Sequence, residues 1–174
     1  MKIYAETERL LLRALQPEDA EGIFELDSDP EVHQYLGKKT IKTVEEGMQN
    51  IDYIRKQYIE NGIGRWAVIE KETKQFIGWS GLKLITELTN NHINYYDLGY
   101  RLMKKYWGKG YATESAEASI NYAFNKLNIN EVYAIADINN QASINVLEKV
   151  GLQRINTFDY EGEPHYWLKI EKHK

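Results

Sequence analysis

The chain contains no cysteine. That excludes disulfides, thiolate nucleophiles and thiolate metal sites in one step, and a cytoplasmic location is expected. Only three prolines are present, and no Pro/Gly/Ser linker, repeat or low-complexity tract divides the sequence. No apolar run approaches the length of a membrane span. The opening residues, MKIYAETERL, hold no long apolar core, so no secretory signal is expected there. A basic stripe is missing too. The formal net charge is −4 and the lysines and arginines are scattered, whereas a nucleic-acid binder held by phosphate contacts is usually basic. Neither nucleic acid nor membrane is an expected partner. His33, His92, His165 and His173 show no metal-ligand spacing, so no metal site is expected.

What is there fits one ordinary globular domain spanning 1–174, long enough to bury a sizeable core. RLLLRAL (9–15) reads as a buried strand, and Pro17, Glu18 and Asp19 then open a helix with acidic residues in its first turn. DPEVHQYL (29–36) carries the same proline start and predicts a short helix. Val44, Met48, Ile51, Ile54 and Tyr58 recur at helical spacing up to Gly62. RWAVIEK, QFIGWSGLKLI and NYYDLGYRLM read as further strands, and EVYAIADI as another. Helices are expected over 109–127 and 140–151, and LQRINTFDY and PHYWLKIEK close as an antiparallel pair. The class is mixed α/β (α+β), and the strand–helix–strand unit over 94–138 implies one parallel pair.

The stretch YWGKGYATES (106–115) sits at a strand-to-helix junction. A helix start leaves several N–H groups unpaired and pointing one way, with partial positive charge from the peptide dipoles. Such an end suits phosphate. Gly108 and Gly110 permit left-handed backbone and close approach, and Lys105 and Lys109 add charge. The dinucleotide fingerprint would need glycine where Thr113 stands, and in a P-loop the lysine would follow the second glycine rather than precede it. The motif alone is equally consistent with a ligand-free tight turn. A second helix starts directly after a strand at NNQASINVLEKVGL. Asn140 and Ser143 both belong to its first turn, and capping alone accounts for the pair locally.

TERLLLRAL, FIGWSGL, DLGYRLMKKYWGKGYATES and NNQASINVLEKVGL stand in an order and spacing that resembles the GNAT acetyltransferases, with the nearer likeness to the RimJ/RimL-type branch. The resemblance covers about residues 5–170. It implies a mixed, mostly antiparallel sheet of about seven strands, helices on both faces, and a splay between the fourth and fifth strands. It also implies acetyl-coenzyme A as cosubstrate and N-acetylation of a primary amine, either a protein N-terminus or a small molecule, by a monomer or homodimer. The loop of Gly108, Lys109, Gly110, Tyr111, Ala112 and Thr113 would hold the diphosphate. Backbone groups of Arg101 and Leu102 would pair with the pantetheine arm, Asn140 would touch it, and Ser143 would lie near the sulfur. Four positions depart from the family pattern. Lys105 replaces the usual Gln or Arg, Arg101 an aromatic and Asp97 a glutamate, and the tail EGEPHYWLKI lacks an aspartate.

An α-amine titrates near about 8 and a lysine-like amine near about 10.4, so most acceptors arrive protonated at neutral pH. Asp97 is the candidate to take that proton, directly or through water. Strand alternation puts Tyr95, Asp97, Gly99 and Arg101 on one face, so Arg101 is expected to lower the Asp97 pKa. Ser143 is the candidate to serve the departing thiolate, and a backbone N–H near Leu102 the oxyanion. Asp29, Glu31, Tyr35, Trp66 and Trp79 are candidate acceptor lining. Two other readings remain: a non-catalytic acyl-coenzyme A-binding module of the same fold, and a nucleotide-phosphate binder of another fold.

Overall fold

The computed structural model describes residues 2–173. Its strands are β1 (Ile3–Glu6), β2 (Leu10–Ala14), β3 (Arg65–Glu70), β4 (Phe76–Ile85), β5 (Tyr95–Leu102), β6 (Glu131–Asp137), β7 (Gln153–Tyr160) and β8 (Glu163–Glu171). Its helices are α1 (Ala20–Asp27), α2 (Val44–Asn61), α3 (Tyr111–Asn125) and α4 (Gln141–Lys149). The strands form one sheet in the order β1-β2-β3-β4-β5-β6-β8-β7. All neighbours run antiparallel except β5 and β6, which are parallel.

Local chemistry explains most element ends. Thr43 caps α2 by accepting the Glu46 N–H at 3.2 Å, and the Glu46 side chain reaches back to the Lys42 N–H. Gly62 ends that helix in the left-handed region. Leu10, Leu12 and Ala14 are buried on alternate positions of β2, the pattern of a strand with a face on a core.

Two expectations change. The sheet has eight strands rather than about seven, because Ile3–Glu6 pairs with β2. That edge strand is four residues long and only partly buried, so its sequence carries little alternation. Its packing is tertiary: Tyr4 stacks on Trp66 at 5.1 Å. The segment 29–36 forms a run of turns, not a helix. Its backbone bonds are irregular, from His33 to Asp29 and from Leu36 to His33. His33 is tied back to Asp27 by a buried side-chain bond, a contact that helical propensity does not encode.

Paired positions on neighbouring strands share a face. Trp66, Ser80 and Tyr100 are in register and lie on the side of the core packed by α3 and α4. Ala67, Trp79 and Arg101 are in register and lie on the side covered by α1 and α2. Helices thus pack on both faces. β5 and β6 share one register pair, Asp97 opposite Tyr133. Beyond it, β5 stays with β4 and β6 stays with β8, so the sheet opens into a splay toward both C-terminal strand ends. Among the described residues no helix is long and apolar enough to cross a membrane.

Candidate active site

The glycine loop lies at the open end of that splay. After β5 ends, Lys104–Tyr106 make one 3-10 turn, and the Trp107 indole donates to the Leu102 carbonyl at 2.8 Å. Gly108 has φ 74° and Gly110 φ 82°, conformations that side chains with a Cβ rarely adopt. Helix α3 then begins with no side-chain cap, so the first-turn N–H groups of Tyr111, Ala112 and Thr113 take none of the usual capping oxygens. A side chain at Gly108 would meet nothing within 4 Å. At Gly110 it would meet the Arg9 guanidinium at 3.3 Å. The two glycines therefore differ: one borders open space, and the other makes room for a neighbouring arginine.

The remaining loop residues divide by direction. The Tyr111 side chain turns inward and hydrogen-bonds Glu70. Lys109 is exposed, its ammonium 5.8 Å from the Tyr106 ring centre. Lys105 pairs with Glu25 at 3.0 Å, which offsets its charge.

At α4, the Asn140 Oδ1 accepts the Ser143 N–H at 3.3 Å, so Asn140 is the helix cap. Its amide NH2 is the part of that side chain left for a ligand. Ser143 has a partner that sequence reasoning missed. The Tyr100 hydroxyl lies 3.1 Å from both the Ser143 carbonyl and its Oγ. Burial pushes Tyr100 up to about 12, with the Ser143 hydrogen bond pulling the other way. The pair ties β5 to α4 across the splay.

The opposite face carries a row of side chains. The Arg65 guanidinium lies over Gly99, where even a methyl group would stand 2.9 Å from it. Arg65 donates to the Asp97 carboxylate and carbonyl at 2.7 Å each, and to the Gly81 carbonyl at 2.6 Å. Trp79 sits between two guanidinium groups, Arg65 at 5.3 Å and Arg101 at 4.9 Å from its ring centre. Arg101 donates to Asp27 at 2.8 Å, and His33 Nε2 lies 3.0 Å from the same oxygen. The Arg101 Nε and His33 Nδ1 are buried without hydrogen-bond partners.

The expected coupling of Arg101 to Asp97 is therefore not made. They share a face, but Arg101 reaches Asp27 and Arg65 takes Asp97. Burial raises Asp97 above its ordinary value, and Arg65 opposes this without cancelling it. Burial also pushes Asp27 upward, but His33 and Arg101 outweigh it and hold that carboxyl below its ordinary value. Of the expected acceptor lining, Trp79 lies in this row of side chains, and the Tyr35 hydroxyl accepts from the Gln34 amide at 3.4 Å. Trp66 is fully buried on the other face, Glu31 pairs with Lys104, and Asp29 caps the Glu31 N–H. Arg65, Asp27 and His33 were missed. An arginine at the start of an otherwise buried strand, RWAVIE, was the available signal for Arg65.

Residues 9–153 match the family described as acetyltransferase (GNAT) domain. The chain is 33% identical over 156 residues to the N-acetyltransferase p20 of Bacillus licheniformis, covering 89% of this chain and 85% of that one. A GNAT-family acetyltransferase structure from Bacillus anthracis superposes with a TM-score of 0.79 at 26% identity, over 98% of both chains. The fold is also that of the ribosomal L7/L12 α-N-acetyltransferase RimL solved with coenzyme A, at a TM-score of 0.82 and 17% identity over 98% of both chains. The chain belongs to the GNAT acetyltransferase family. It is an acetyl-coenzyme A-dependent N-acetyltransferase, and acetyl-coenzyme A is its cosubstrate.

Proposed function

We propose that the single domain 1–174 transfers the acetyl group to a primary amine by direct attack, with no covalent enzyme intermediate. The observation that carries this reading is the placement of two chemistries on opposite faces of one splay. The capless α3 start and the Ser143–Tyr100 pair lie on one side, and Asp97 lies on the other. The donor enters from the first side and the amine from the second.

The backbone of Gly108, Lys109, Gly110, Tyr111, Ala112 and Thr113 holds the diphosphate, whose charge suits the helix start. Backbone groups of Arg101 and Leu102 hold the pantetheine arm in the opening between β5 and β6, and the Asn140 amide contacts it. Asp97 takes a proton from the ammonium group. The free amine adds to the thioester carbonyl, and a backbone N–H near Leu102 steadies the oxyanion. As the intermediate collapses, the nitrogen loses its remaining extra proton to water and the C–S bond breaks. Ser143 gives the leaving thiolate a proton and is resupplied from water through Tyr100.

The Arg65 pair favours a second role for Asp97: orienting the amine while water carries the proton. The acceptor itself is a protein N-terminus or a small-molecule amine. The test is release of free thiol from acetyl-coenzyme A with a panel of peptides, amino acids and polyamines. Turnover of at least one primary amine is expected. Coenzyme A binding without turnover of any amine would leave the chain as a non-catalytic acyl-coenzyme A-binding module.

A further inference from the structure

Arg9 lies in the turn between β1 and β2, about a hundred residues from the glycine loop, yet it forms the wall behind that loop. Its NH1 donates to the Lys109 carbonyl at 2.8 Å. Its Nε donates to Glu114 Oε1 at 2.8 Å, and its backbone N–H to Glu114 Oε2 at 3.0 Å. The guanidinium also lies 4.4 Å from the Tyr111 ring centre. Thr7 adds a 2.5 Å bond to Glu114. The β1–β2 turn, the loop and the first turn of α3 are thereby joined through one side chain.

We infer that Arg9 is a positioning residue that fixes the donor loop in its binding conformation before the donor arrives. This rests on the reading of 108–113 as the diphosphate site. A trans peptide points its carbonyl and its N–H in opposite directions, and among the described residues there are no cis peptide bonds. Pinning the Lys109 carbonyl toward Arg9 therefore turns the Gly110 N–H away from it. Arg9 also fills the space that Gly110 leaves, while the space beside Gly108 stays open. The ligand side and the buttress side of the loop are thus distinct. Without the buttress, two exposed glycines would sample many conformations, and binding would have to freeze them. Arg9 is not itself the anion ligand: Glu114 neutralises its charge and two of its three nitrogens are engaged.

The experiment compares the affinities of coenzyme A and of pantetheine, which lacks the diphosphate, for four proteins: wild type, Arg9→Met, Arg9→Lys and Glu114→Gln. The Arg9 side chain is 42% exposed, so these variants should fold, and a melting curve of each checks that. Arg9→Met should weaken coenzyme A about tenfold, as expected for losing one charge-assisted bond. Pantetheine affinity should not move. Arg9→Lys should fall between wild type and Met, and Glu114→Gln should weaken coenzyme A severalfold. Three results would overturn the inference: unchanged coenzyme A affinity in Arg9→Met, equal losses for both ligands, or tighter coenzyme A binding in Glu114→Gln. The last would make Arg9 a direct anion ligand released by losing its partner. If wild type binds no coenzyme A, the donor-loop reading itself falls, whatever the variants do.

Discussion

On the α3/α4 face the groups offered to a ligand are mainly backbone N–H groups, on a loop whose two glycines keep side chains out of the way. On the α1/α2 face they are side chains from β3, β4, β5, the end of α1 and the turns after it. Asp97 and Asp27 are each already paired with an arginine. A backbone site depends on local conformation and is indifferent to most substitutions. A side-chain site depends on partners brought together from distant segments, and a single change breaks it.

The largest expected effect tests how tightly the α1/α2 face is wired. Asp27→Ala leaves Arg101 and His33 without their shared acceptor. Breaking one partner of a buried pair costs about 3 kcal/mol at the low end, and the low end applies because the Arg101 side chain is 21% exposed. Thermal melting measures it, and coenzyme A should still raise the melting temperature. Loss of that shift would mean the two faces are not independent. The pH dependence has a definite sign. The Asp27 pKa is lowered from 3.8, so its stabilisation is present above that value and is lost as pH falls through the lower folded value. Asp27→Ala should therefore lack part of the wild type's acid-induced loss of stability below about pH 4.

Asp97→Asn comes next and bears on the two roles left open for it. As a base, its loss should lower kcat/KM about 10²-fold near neutral pH, with recovery as pH approaches the amine's own pKa. Parallel profiles from about pH 6 to 10 would instead make Asp97 an orienting group. Ser143→Ala should lower kcat about 10²-fold, the low end for losing a proton donor, and leave coenzyme A affinity little changed. An unchanged rate would return Ser143 to the role of a first-turn residue under the Asn140 cap.

The same contrast explains what the sequence made legible. The glycine loop could be read because helix start, glycines and preceding strand are contiguous, and the structure puts them at the splay. The Asn140 cap was readable for the same reason. Asp97 and Arg101 were rightly put on one face by alternation, yet their partners were wrong. Arg65 and Asp27 reach them from 32 and 74 positions away. The turns at 29–36 and the edge strand β1 failed likewise, since His33 and Tyr4 find their partners only in the folded chain. Tyr100 was invisible because one tyrosine among thirteen carries no signal until α4 is placed beside it.

Tyr100→Phe is the smallest and most discriminating change. Phenylalanine keeps the ring and removes only the hydroxyl that meets Ser143 at 3.1 Å. One neutral hydrogen bond contributes about 1 kcal/mol, so kcat should fall about fivefold. The shape of the pH profile separates two ways this could happen. Burial raises Tyr100 to about 12, so the hydroxyl stays protonated across the range from about pH 6 to 10, and its removal should lower the rate evenly there. A Tyr100 that titrated in that range would instead give the wild type a basic limb that the variant lacks. Combining the variant with Ser143→Ala completes the test. If Tyr100 acts through Ser143, the double variant should be no slower than Ser143→Ala alone. Multiplying losses would mean that Tyr100 acts on the donor by itself, and the link between β5 and α4 would be structural only.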